Sequence, residues 1–195
     1  PGTGKSNIIN YMANEENSII TTRFHSFKPI NVEYDVMPAD EGIYSSEDFW
    51  KNTLIQIKDK FEGRMEKYNV PVAVEAIKSV DKKMKEVLRL ANCLYKETGK
   101  TTVIAVDGID HAARAGKKNT FLKTLPSPSR LPEGVVFVLA GQPYSNNPEY
   151  PLWLDGNDVI TKTVPALERD DIKQLLTNDN ICYEDATIEE IAEYI

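Results

Sequence analysis

"TTVIAVDGIDHAAR", Thr101–Arg114, decides the fold. Its first half is a short apolar, β-branched run that ends abruptly in an acid, Asp107, followed by a Gly-containing turn. Such a run, with no polar alternation, reads as a strand buried on both faces, the habit of parallel sheets sandwiched between helices. A second run of the same kind, "VVFVLAG", begins at Val135, and "SIITTRF" (Ser18–Phe24) reads as a further short buried strand. Strands alternating with helical segments predict an α/β fold with a largely parallel central sheet. Ligands in such sheets bind beyond the carboxyl ends of the strands, which is where Asp107 stands.

Working outward, "SNIINYMA" places Ile8, Ile9 and Met12 on one face of a helix beginning near Lys5. The polar, Pro-containing stretch that follows Phe24 is expected to be loop as far as about Ser45. Ser45 and Ser46, with Glu47 and Asp48 behind them, predict a helix N-terminus. Phe49, Trp50, Thr53, Leu54, Ile57 and Phe61 then recur at helical spacing. A longer helix is predicted from about Val72 to Thr98, carried by Val74, Ile77, Val80, Met84, Val87, Leu88, Ala91 and Leu94 and stopped by Gly99. "NTFLKTL" reads as a short helix, "DVITKTV" as an edge strand, and "ERDDIKQLL" and "TIEEIAEYI" as helices. Tyr150, Leu152 and Trp153 are expected to lie on a loop packed against a neighbouring domain.

The chain of 195 residues is long enough for one domain with a substantial core. Its hydrophobic share of 41% and charged share of 27% are those of a soluble globular protein, and no apolar run reaches bilayer length. A net charge of −7 without a dense Lys/Arg run argues against nucleic-acid binding by this domain. Cys93 and Cys182 lack metal-ligand spacing and read as free thiols of a cytoplasmic protein.

The opening "PGTGKS" matches the GK[ST] end of a phosphate-binding loop, or Walker A motif, whose first glycine would precede Pro1. Gly2 and Gly4 free the backbone to turn successive N–H groups toward phosphate oxygens, and the following helix adds its positive end. The expected nucleotide-binding set is Gly2, Thr3, Gly4, Lys5, Ser6 and Asn7, with Lys5 on the β- and γ-phosphates. Ser6 and Asp107 would hold Mg²⁺, Asp107 as the Walker B acid. Asp110, in the loop three residues on, would orient or deprotonate the attacking water. His111 is a candidate for tuning that water's proton, and Gln142, at the end of the next strand, for sensing the γ-phosphate. The plainer readings are a Gly-rich turn, a strand with a "DG" turn, hydrogen-bonded loop residues at His25, His111 and Arg114, and a simple strand end at Gln142.

Taken in order, GKS, "VIAVDGIDHAAR", "LPEGVVFVLAGQP" and "VPALERDDIKQLL" resemble the STAND class of P-loop NTPases, and within it the NACHT-like ATPase modules of large bacterial proteins, antiphage sensors included. The resemblance implies a three-layer P-loop fold over residues 1–176, truncated at its first strand, and the start of a helical or winged-helix region at 177–195. It also implies ATP or ADP with Mg²⁺ as ligands, with Lys5, Ser6, Asp107 and Asp110 in the roles given above. Self-association through the NTPase domain would be coupled to effector and sensor domains of the same polypeptide. His111 stands where the family usually carries glutamate and Gln142 where it usually carries a sensor arginine, which implies slow hydrolysis.

The chain offers no other segment for the strand that leads into the phosphate loop. It is therefore expected to be a fragment of a larger protein. The expectation is an ATP-hydrolysing switch domain of a multidomain signalling or defence protein. A non-hydrolysing ATP/ADP-binding module and an AAA+-type ATPase acting on nucleic acid are the alternatives. No guanine-specific N/T-K-x-D motif is present, which favours adenine.

Overall fold

The structure, a computed structural model, describes residues 30–35, 45–115, 119–142, 149–165, 168 and 170. The phosphate loop, the Ser18–Phe24 strand, the helix near Lys5 and the two C-terminal helices read from the sequence lie outside or almost wholly outside them. Contacts divide the chain at residue 160. The described residues through Ile160 belong to one unit, and residues 161–165 of the other carry no regular structure.

The first unit is built on a three-stranded parallel sheet: β1 (Ile30–Asp35), β2 (Thr102–Asp107) and β3 (Val135–Leu139), in that order across the sheet. Its middle strand is the run from which the fold was read. Ile30 through Asp35 face Thr102 through Asp107 one for one, and Thr102 through Val106 face Val135 through Leu139. All three carboxyl ends therefore fall at one edge of the sheet, with Asp35 and Asp107 as register partners. Thr102–Val106 is buried throughout, as a central parallel strand requires.

β1 corrects the expectation of a loop between Phe24 and Ser45. "INVEYD" alternates Ile30, Val32 and Tyr34 with polar residues, the period-2 signal of a strand.

Between β1 and β2 run two helices, α1 (Ser46–Asp59) and α2 (Val80–Thr98). Ser45 caps α1 by accepting the Asp48 N–H at 3.0 Å, as its sequence predicts. α1 buries Phe49, Trp50, Thr53, Leu54 and Ile57. Phe49 stacks on Phe121 with ring centroids 4.6 Å apart, and the Trp50 indole N–H donates to Thr124 Oγ1 at 2.8 Å. These contacts tie α1 to the turn of 3₁₀ helix Phe121–Thr124, which replaces the short helix expected in "NTFLKTL".

α2 begins eight residues later than the spacing of its apolar residues predicts. The apolar spacing from Val74 onward is satisfied by a separate 3₁₀ turn, Val74–Ala76, which buries Val74 in the core. The Lys58 ammonium bonds the Val72 carbonyl, fixing that turn beside α1, and Ser79 takes the extended backbone of an N-cap. Gly99 ends α2 at φ 68, with its N–H on the Tyr95 carbonyl at 2.7 Å, as expected. The two helices are clamped by an ion pair: Lys83 of α2 is buried, and its Nζ lies 2.6 Å from Glu47 Oε1.

Two further expectations are corrected. "DVITKTV" forms no strand, and Ile160 is exposed. Tyr150 and Leu154 enter this unit's own core with Trp153 packed against it, and only Leu152 is left outside.

Candidate functional site at the strand ends

β2 ends at Asp107, and the chain turns through Gly108 at φ 74, a left-handed conformation that costs glycine little. It then enters a six-residue helix, α3 (Ile109–Arg114), so Asp110 stands in the first turn of a helix and not in the loop expected for it. The turn is locked to the neighbouring strand. The Ala140 N–H donates to the Val106 carbonyl at 2.8 Å, and the Ile109 N–H donates to the Ala140 carbonyl at 3.0 Å. β3 thus carries its pairing one residue past Leu139 and hands the last carbonyl to the start of α3.

Asp107 is partly buried and its Oδ1 accepts the Gly108 N–H at 2.8 Å. Asp110 is a buried acid, 8% exposed, set against the end of β3. Its Oδ1 and backbone N lie over Gly141, where a Cβ would meet them at 3.0 and 3.1 Å and the Ile109 Cγ1 at 2.8 Å. Its Oδ2 is held by the Arg114 guanidinium, one helical turn on. The same arginine donates from Nε to the Asp110 carbonyl at 3.3 Å, and its Nη2 lies 3.4 Å from His111 Nδ1. His111 is half-buried and follows Asp110 on the rim of the site.

Of the residues singled out from the sequence, the fold brings together Asp107, Asp110 and His111 after β2 and Gln142 after β3. All lie at the carboxyl edge of the sheet. Gly2, Thr3, Gly4, Lys5, Ser6 and Asn7 lie outside the described residues. Two contributors were missed. Gly141 makes room for Asp110, and the only sign of it in the sequence is a glycine immediately after an apolar strand. Arg114 was read as an ordinary loop residue, and its grip on Asp110 follows from helical i,i+4 spacing that a loop would not have.

Among the described residues, two grooves lie away from this edge. One, of about 730 Å³, runs along Pro71–Ala73 and α2, and one, of about 530 Å³, lies between Leu122–Arg130 and Glu149–Trp153. Neither is lined by Asp107, Asp110, His111 or Gln142.

The donor chemistry at Asp107 suits magnesium. Mg²⁺ takes hard oxygen ligands, commonly one or two carboxylates with phosphates and waters making up the rest. Asp107 accepts the Gly108 N–H through Oδ1, and its carboxylate is a hard oxygen donor of the kind such an ion takes. Among the described residues no group of three or more His, Cys, Asp or Glu side chains is arranged to hold a metal by itself. No helix among them is long and apolar enough to cross a membrane.

No protein-family model matches the chain, and a search of the curated proteins finds no match.

Proposed function

We propose that this chain is the nucleotide-dependent switch domain of a multidomain protein of the STAND class, NACHT-like in kind, that binds ATP with Mg²⁺ and hydrolyses it slowly. The observation that carries this reading is the pair Asp107 and Asp110. One acid closes the buried middle strand of a parallel sheet, and the second is buried three residues on against the end of the adjacent strand. Parallel α/β sheets place their ligands at this edge. Lys5 and Ser6 would approach it from the Walker A side, and Ser6 with Asp107 would hold the cation. The metal's chemistry there is neutralisation of phosphate charge.

In hydrolysis, the oxygen of a water forms the new bond to the γ-phosphorus. The bond to the β–γ bridging oxygen breaks, its electron pair leaves on ADP, and the water's proton passes to the released phosphate. Asp110 orients that water by accepting its hydrogen bond, with Gln142 and His111 on the rim. The ATP-bound and ADP-bound states would differ in their affinity for a second copy of the domain, so turnover would reset assembly and with it an effector carried on the same polypeptide. The same chemistry implies a cytoplasmic setting, where ATP is available.

A second reading has a specific observation in its favour. Arg114 occupies one oxygen of Asp110, as it would in a module that holds ATP or ADP and turns it over negligibly. Phosphate release by wild type and Asp110→Asn separates the two: a lower rate in the variant supports the hydrolase, and equal background rates support the binding module. For the nucleotide site itself, Lys5→Ala is expected to abolish ATP binding by the full chain. Wild-type ATP affinity in that variant overturns the proposal.

A further inference from the structure

We infer that Arg114 is a positioning residue that restrains Asp110 and thereby sets the slow turnover of the site; this rests on the role given to Asp110 above. Three observations converge on it. First, Oδ2 of the Asp110 carboxylate is held by the Arg114 guanidinium, and the carboxylate sits close against Gly141 at the end of β3. A carboxylate so held is not free to turn toward a water. Second, the side chain of Asp110 is 12% exposed while that of Arg114 is 55% exposed. The acid is packed into the fold, and the cation is the member of the pair that can be replaced without opening the core. Third, the guanidinium also reaches the Asp110 carbonyl and His111 Nδ1, so one side chain ties together the two residues proposed to handle the water.

A guanidinium keeps its charge at any physiological pH, so the restraint is not relieved by deprotonation. It persists with nucleotide bound, so turnover stays slow at saturating ATP, and removing the guanidinium is what releases Asp110 Oδ2 to accept the hydrogen bond of the attacking water. An ion pair that reaches solvent contributes little net stability, so its removal costs the fold little.

The test is steady-state ATP hydrolysis by the full chain with Arg114→Met, Arg114→Lys, Asp110→Asn and the double variant Arg114→Met/Asp110→Asn. Arg114→Met is expected to raise kcat about three- to tenfold with KM little changed, a fraction of the 10²–10⁴ that a positioned acid or base contributes. Arg114→Lys, charged but unable to fork, is expected between wild type and Arg114→Met. The double variant is expected to match Asp110→Asn alone, because the restraint has nothing left to act on. A kcat for Arg114→Met or Arg114→Lys at or below wild type overturns the inference, as does the same rise in the Asp110→Asn background. Lys5→Ala run in parallel separates the two levels. If it abolishes turnover while Arg114→Met changes nothing, this inference alone fails. If it leaves turnover intact, the nucleotide reading fails.

Discussion

Replacing Gly141 by alanine adds a single methyl group at the point where the end of β3 meets the first turn of α3. That methyl would stand 2.8 Å from Ile109 Cγ1, 3.0 Å from Asp110 Oδ1 and 3.1 Å from the Asp110 backbone N. None of the three neighbours yields easily. Ile109 is β-branched and buried, its N–H is bonded to the Ala140 carbonyl, and the Asp110 nitrogen belongs to the helix itself. Overpacking of this kind costs about 1–3 kcal/mol. For a chain of this length each kcal/mol is worth about 2–4 °C in Tm, so Gly141→Ala is expected to lower Tm by roughly 2–12 °C. The displacement falls on the Asp110 carboxylate, so ATP hydrolysis is expected to drop about 10–100-fold, the order of loss that a misplacement near 1 Å produces. Thermal unfolding followed by circular dichroism, together with phosphate release at saturating ATP, reads both effects. An unchanged Tm with wild-type turnover would refute the packing of Asp110 on Gly141 and the role built on it.

Three further outcomes concern the frame around the site. Glu47→Ala strands the buried Lys83 ammonium and is expected to cost about 1–3 kcal/mol, while Lys83→Met, which removes the buried charge, is expected to be near neutral; urea titrations that rank the two the other way contradict the clamp. Gly134→Ala sets a methyl inside the Tyr95 ring, 1.9 Å from Cγ, at a φ of 74, and is expected to cost about 3 kcal/mol or more in the same assay; a loss under about 1 kcal/mol contradicts that contact. Glu97 is held below the usual carboxylate range by a hydrogen bond from Tyr68 and, next, by Lys67 and Arg64. A carboxyl depressed on folding adds stability that is present above its ordinary value near 4.5 and is lost as pH falls through the lower folded value. Glu97→Gln is therefore expected to flatten the acid limb of the stability–pH curve, and parallel curves for the two proteins would contradict it.

What was legible in the sequence was what local chemistry encodes. Thr102–Asp107 and Val135–Leu139 announce themselves as continuous apolar runs, Ser45 as a cap with acids behind it, and Gly99 as a left-handed stop. β1 was masked by its flanking prolines and polar neighbours, although Ile30, Val32 and Tyr34 alternate cleanly. The start of α2 was misplaced because Val74 and Ile77 keep helical spacing through a 3₁₀ turn, beside which Lys58 bonds the Val72 carbonyl, a tertiary contact that spacing does not show. "DVITKTV" has strand composition, yet composition alone provides no neighbouring strand to pair with. At the site, Asp107 and Asp110 were readable from their position after an apolar strand. The partners that fix Asp110 were not, because Gly141 comes from a different strand and Arg114 reaches it only once residues 109–114 are helical.

The most direct measurement is calorimetric titration of ATP into wild type and Asp107→Asn, each with and without Mg²⁺. The account predicts that Mg²⁺ tightens ATP binding to the wild type and that this gain is lost in the variant. Equal Mg²⁺-dependent affinity in both proteins would contradict it, because the acid at the end of the middle strand would then have no part in holding the nucleotide's metal.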